Sequence, residues 1–147
     1  VLCALSGLTI FIVIIFGFDI IGLVLASTYS NATCYEHQLT MSLSTWLSVA
    51  SGTSITFILF LFFAGFVLCV LGVPLLTMSA FFVGCAGVLT MYTIVISAFG
   101  IIELVCQFDP CQNEVFSICV MVILAITVKM MANMAFVVMV GYLHNKT

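Results

Sequence analysis

Lys129 is the only charged residue in the apolar run 115–143. An ammonium at that depth is expensive in lipid, so it is expected to face a partner or a polar cavity. Asp19, in Phe16-Gly17-Phe18-Asp19-Ile20, is the leading partner. Counted from the ends that share one side of a membrane, Asp19 lies ~12 Å and Lys129 ~20 Å along their helices. Side chains lean toward their own helix N-terminus, so in oppositely directed helices these two lean toward each other. The long lysine stem covers the remaining gap. Such a pair either fixes helix register as a structural ion pair or lines an ion or proton path. Asn133, one turn beyond Lys129, adds polarity to that face. Glu103, near the end of the third apolar run, is the second candidate partner and is expected to reach headgroups or water.

Other chemistry is absent from the pattern. His37 and His144 are expected on opposite sides of the membrane, and no His, Cys, Asp and Glu residues group at metal-ligand spacing. Cys106 and Cys111 are too far apart for a CxxC redox pair. Neither histidine has a serine or cysteine constellation suited to nucleophilic catalysis. No cofactor and no metal are expected, and an enzyme is the least favoured class. A formal charge of −3 with only two Lys and Arg residues argues against nucleic-acid binding.

The elements that must position these residues are long and apolar. With 65% hydrophobic and 5% charged residues, most of the surface must face lipid. Roughly 20 residues of helix cross a ~30 Å hydrocarbon core. Four runs meet that length, at about 1–27, 43–71, 75–105 and 115–143. Thr28–Ser42 forms one polar connection, Gly72-Val73-Pro74 a tight break, and Gln107–Glu114 a second polar turn. Proline lacks an amide hydrogen and biases its predecessor away from helix. The fold class is therefore all-α: a single-domain, four-helix transmembrane bundle over residues 1–147. The first run is too long, and too poor in basic residues, for a signal peptide. The native chain is expected to extend beyond one or both ends.

Three signals orient the bundle. Asn31-Ala32-Thr33 is a glycosylation sequon, usable on the lumenal or extracellular side. Cys34, Cys106 and Cys111 lie in or beside the two longer loops, which suits an oxidising compartment. Lys146 lies at the opposite end, as the positive-inside tendency requires. Both termini are thus expected in the cytosol and both longer loops outside, in a plasma or secretory-pathway membrane. Cys34 is expected to bond to Cys106 or Cys111, giving two short disulfide-linked outer loops, with Cys119 available to the cysteine left over. Cys3, Cys69 and Cys85, inside apolar runs, are expected to be unpaired.

Packing is expected to depend on small residues. Ser48 and Gly52 in the second helix, and Gly84, Gly87, Thr90, Thr93, Ser97 and Gly100 in the third, permit close helix approach. Thr90, Thr93, Ser97 and Gly100 fall on one side of the helical wheel. A hydrophilic pore lining is the alternative use of that stripe. Phe57, Phe60, Phe62, Phe63 and Phe66 are expected to face lipid or a neighbouring subunit. Trp46 fits an interfacial anchor.

Cys34, then Trp46-Leu47-Ser48-Val49 with Gly52, then Cys111-Gln112-Asn113-Glu114-Val115-Phe116, resemble the transmembrane protein 272-like family of small four-helix membrane proteins. In that family a loop cysteine follows the first helix, and an aromatic–Leu–x–Val stretch opens the second. A cysteine, three residues, an aliphatic and an aromatic precede the fourth. This chain departs from the family in lacking first-loop prolines and in its short second-to-third connection. The resemblance implies four helices and paired loop cysteines, and no activity. The expected role is a non-enzymatic membrane subunit or scaffold whose partners are lipids and other membrane subunits or copies of itself. The alternatives are a small oligomeric channel or transporter, and an accessory subunit of an organellar energy-converting complex.

Overall fold

The computed structural model describes residues 2–31, 35, 40–111 and 113–146, with side chains from residue 7 onward except 8 and 110. Four helices follow in order: α1 Leu2–Thr28, α2 Leu43–Val70, α3 Leu75–Cys111 and α4 Phe116–Lys146. No strand occurs among the described residues. All four are long and apolar enough to cross a membrane. The shortest, at 27 residues, extends about 40 Å, more than the hydrocarbon core requires. Continuous helix is the forced solution, because lipid offers no partner for an open backbone amide or carbonyl.

The helix ends have local causes. Ser42 caps α2, its hydroxyl accepting the Thr45 amide at 3.2 Å. At the other end Gly72 adopts φ +70°. The Gly72 amide bonds to the Cys69 carbonyl and the Val73 amide to the Leu68 carbonyl, both at 3.1 Å. This double bond to the last turn needs a residue in the left-handed region, which glycine enters without a β-carbon penalty. Pro74 follows, and its carbonyl accepts the Met78 amide to start α3. At the α3–α4 turn the Cys111 carbonyl accepts both the Glu114 and the Val115 amides.

One boundary differs from expectation. The polar stretch beginning at Gln107 is not a turn for most of its length, because α3 continues through it to Cys111. Gln107 is fully buried and its side chain is satisfied by the first connection, so the stretch is polar without being solvated. At the far end α4 also runs on through His144 to Lys146.

The bundle is two helix pairs, α1 on α2 and α3 on α4, joined chiefly by α2 and by a shorter α1–α4 contact. The end bearing the α1–α2 and α3–α4 connections is called here the loop end, and the other the terminal end. Packing is concentrated at the loop end, where Trp46, Leu43, Leu47, Ile118, Val122 and Cys119 form a closed core. Trp46 is therefore a core residue and not an interfacial anchor. Its indole nitrogen donates to the Ile96 carbonyl at 2.8 Å. A β-carbon at Gly100 would fall 2.5 Å from Trp46 Cζ2, so only glycine lets the indole lie across α3. The closed core does not continue to the terminal end, where α2 and α3 stay joined by the 71–74 turn.

Candidate functional site

Beyond the core cluster lies a cavity of about 620 Å³ bounded by all four helices. Its walls are aliphatic and aromatic, with Ile15, Leu61, Leu89 and Phe136 among them. Phe18 lines it on one side and packs against the loop-end core on the other, so it marks where the filled half begins. No part of the lining includes the core residues Leu43, Leu47, Ile118 or Val122. The cavity therefore ends at a packed layer rather than continuing through the chain.

A few polar groups converge on this apolar space. Asp19 and Lys129 both line it. Lys129 Nζ lies 3.6 Å from Asp19 Oδ1, and both side chains are largely buried, at 13% and 3% exposure. Asp19 Oδ2 is buried with no hydrogen-bond partner. The Ser54 hydroxyl approaches the same carboxylate from α2. Asn133, four residues after Lys129, pairs with Thr90 of α3 at 3.3–3.4 Å. Thr53 and Tyr92 join hydroxyl to hydroxyl between α2 and α3. The site as a whole carries one negative and one positive charge.

The second polar cluster is at the loop end and has a different character. Glu103 is fully buried. Its Oε1 accepts the Thr40 amide and hydroxyl, each at 2.7 Å, and its Oε2 accepts Gln107 Nε2 at 2.7 Å. Gln107 in turn donates to the Met41 carbonyl at 3.0 Å and accepts the Leu43 amide at 3.2 Å. Glu103 is thus neither interfacial nor a partner for Lys129. Its charge sits beside the amino end of α2, where the helix dipole favours an anion. Together with Gln107 it latches the first connection onto α3.

The remaining expected sites divide. Cys111 is fully buried and disulfide-bonded. Cys34 lies outside the described residues, as does the Cys3 side chain. Cys106 and Cys119 are free thiols, as are Cys69 and Cys85. This corrects Cys106 and Cys119 as disulfide candidates. Because α3 is helical through both, Cys106 and Cys111 point about 140° apart. Cys106 faces outward, while Cys119 is enclosed in the core. Asn31 is exposed in the turn after α1, while the rest of its sequon lies outside the described residues.

Of the small residues, Thr93, Ser97 and Gly100 are buried between helices, and Thr90 reaches Asn133. Gly52, Gly84 and Gly87 are corrected as packing positions within the chain, since nothing lies within 4 Å of where their β-carbons would be. Ser48 and Gly52 instead line an outward groove of α2 together with Thr56 and Phe60. The close approach on α1 occurs at Gly22, where a β-carbon would meet the Ser51 hydroxyl at 2.6 Å.

Sequence reasoning missed Gln107, Thr40, Ser54 and Gly22. Gln107 was findable: it lies four residues after Glu103, the spacing that places two side chains on one helix face. Ser54 and Gly22 had no such signal, because their roles arise only from which helices meet. Among the described residues no group of three His, Cys, Asp or Glu side chains could hold a metal ion. No family model, curated protein or solved structure matches the chain.

Proposed function

We propose that this protein is a non-enzymatic integral membrane subunit of a homo-oligomeric or multi-subunit assembly. The observation that carries the reading is the unused small-residue surface. Gly52, Gly84 and Gly87 are helical glycines with open space where a side chain would begin. Glycine weakens a helix relative to alanine, and in membranes small residues serve to let another helix approach closely. This chain's own helices do not occupy those positions. The groove at Ser48, Gly52 and Thr56 has the small residues that a neighbouring helix would use. Phe60 lines it, and Phe63 and Phe66 are exposed farther along α2, which suits lipid or a second subunit.

A disulfide between Cys34 and Cys111 belongs to the same proposal, with the loop end in an oxidising compartment and the termini in the cytosol. It would bind the first connection to the end of α3 beside the Glu103 latch. Use of the Asn31 sequon would place the chain in the secretory pathway and count against an organellar energy-converting complex. The transmembrane protein 272-like resemblance is compatible with this architecture and contributes no activity. A channel or transporter built from one chain is less well supported, because the cavity stops at the packed core around Trp46.

The test is native mass spectrometry of protein released from nanodiscs, with partners identified. The expected result is an oligomer or a defined hetero-complex. Gly52→Leu and Gly87→Leu should dissociate it without lowering the thermal stability of the isolated chain. Monomeric wild-type protein, without partners in both nanodiscs and mild detergent, would defeat the reading.

A further inference from the structure

We infer that the cavity between the helix pairs is a binding site for a neutral lipid whose head group is a single hydroxyl. The volume of about 620 Å³ falls within the ~300–1,000 Å³ usual for small-molecule sites. Such sites are mostly apolar with a few convergent polar groups, and this one has that composition. Its aliphatic and aromatic walls suit a hydrocarbon body, and Asp19, Lys129 and Ser54 gather where the head would rest.

The charge balance disfavours a head group of single net charge. Asp19 Oδ2 is buried without a hydrogen-bond partner, so it can accept one more donor. Lys129 has three ammonium protons, and its ion-pair distance of 3.6 Å is longer than a good hydrogen bond. A ligand amine would satisfy Asp19 but be repelled by Lys129. A ligand carboxylate would satisfy Lys129 but be repelled by Asp19. A hydroxyl donates to the carboxylate and accepts from the ammonium at once, and adds no charge to a site that is already balanced. It also relieves the cost of the orphaned carboxylate oxygen. The cavity and the outward groove share Thr53 and Phe57 at their margin, while Asp19, Lys129 and Ser54 belong to the cavity alone.

The experiment uses wild-type protein in nanodiscs and a matched set of photoreactive probes. The set comprises a diazirine long-chain alcohol, its methyl ether, the corresponding carboxylic acid and amine, and a diazirine sterol. Labelled peptides are located by mass spectrometry. The expected result is labelling of cavity-lining segments by an alcohol, competed by unlabelled alcohol. The long-chain and sterol arms decide which hydrocarbon body the cavity takes. Labelling by the methyl ether should fall by about tenfold or more, the loss that follows removal of a charge-assisted hydrogen bond. Ala132→Phe should reduce alcohol labelling by filling the cavity while leaving Asp19 and Lys129 in place. Equal labelling by alcohol and ether, stronger labelling by acid or amine, or no competable labelling inside the cavity by either alcohol would overturn the proposal. The probe comparison needs no variant, so a folding defect in Ala132→Phe leaves it decisive.

Discussion

Lys129 Nζ stands 3.6 Å from Asp19 Oδ1 at the boundary between the filled half of the bundle and its cavity. The pair joins α1 to α4, which otherwise share the shorter of the bundle's lateral contacts. Removing one member leaves the other charged and buried, at a cost of about 3–5 kcal/mol. Asp19→Ala is therefore expected to lower stability sharply. Replacing both residues together, as in Asp19→Leu with Lys129→Met, is expected to be much milder, because no lone charge remains. Thermal unfolding of the two variants and the wild type in the same nanodiscs makes the comparison. Equal loss in the single and double variants would remove the ion pair as the cause.

Gly100 and Gly87 lie on one helix and should respond oppositely to the same change. A β-carbon at Gly100 meets three indole atoms of Trp46 between 2.5 and 2.9 Å, and the indole is fully buried with nowhere to move. Gly100→Ala is expected to cost about 1–3 kcal/mol through overpacking. Gly87→Ala meets nothing, and gains about 0.5–1 kcal/mol from higher helix propensity in the isolated chain. Melting temperatures measured on monomeric protein distinguish the two. A neutral Gly100→Ala would mean that Trp46 does not hold its place against α3.

The Glu103 latch has a local readout. Glu103→Ala takes away the acceptor for the Thr40 amide and for Gln107 Nε2. Each buried group left unpaired costs on the order of 1–3 kcal/mol. Hydrogen exchange should quicken first at Thr40 and Leu43, whose amides end on Glu103 and Gln107. Unchanged exchange at both amides would show that the carboxylate does not anchor the first connection.

The cysteines give a prediction that needs no mutation. Peptides of unreduced protein are expected to show Cys34 joined to Cys111. Cys106 and Cys119 should alkylate as free thiols once the protein is unfolded without reductant. A cross-link spanning so long a segment stabilises by roughly 4–5 kcal/mol in the loop-entropy model. Recovery of Cys34 as a thiol in freshly prepared protein would contradict the pairing.

Tyr35 is the one tyrosine of the loop end enclosed in the core. Burial pushes its hydroxyl above the usual phenol range. The unfolded chain then ionises at lower pH than the folded one. The contribution of Tyr35 favours unfolding as pH rises through the ordinary phenol range toward its raised folded value. Tyr35→Phe should flatten the alkaline loss of stability, which a melting series above neutral pH will reveal.

The sequence by itself determined four apolar helices. Runs of this length and composition have no other satisfactory state in lipid, where each backbone amide must bond within its own segment. It also marked Lys129 and Asp19, because a charge inside such a run has few places to go. The Gly72-Val73-Pro74 break was legible for a similar reason, since the left-handed glycine and the following proline are local requirements. The pairing of the helices was not local. Small and hydroxyl residues are spread over several faces of α2 and α3, and composition alone did not say which faces meet. Tertiary packing put Trp46 over Gly100 and Ser51 against Gly22, and left Gly52, Gly84 and Gly87 open. It also turned Glu103 and Gln107 inward, where the amides entering α2 give a buried carboxylate the partners that water would otherwise supply. The cavity was likewise invisible in the sequence, because a void is a property of how helices diverge. Apolar residues facing lipid, a neighbour or an internal space satisfy the same hydropathy pattern.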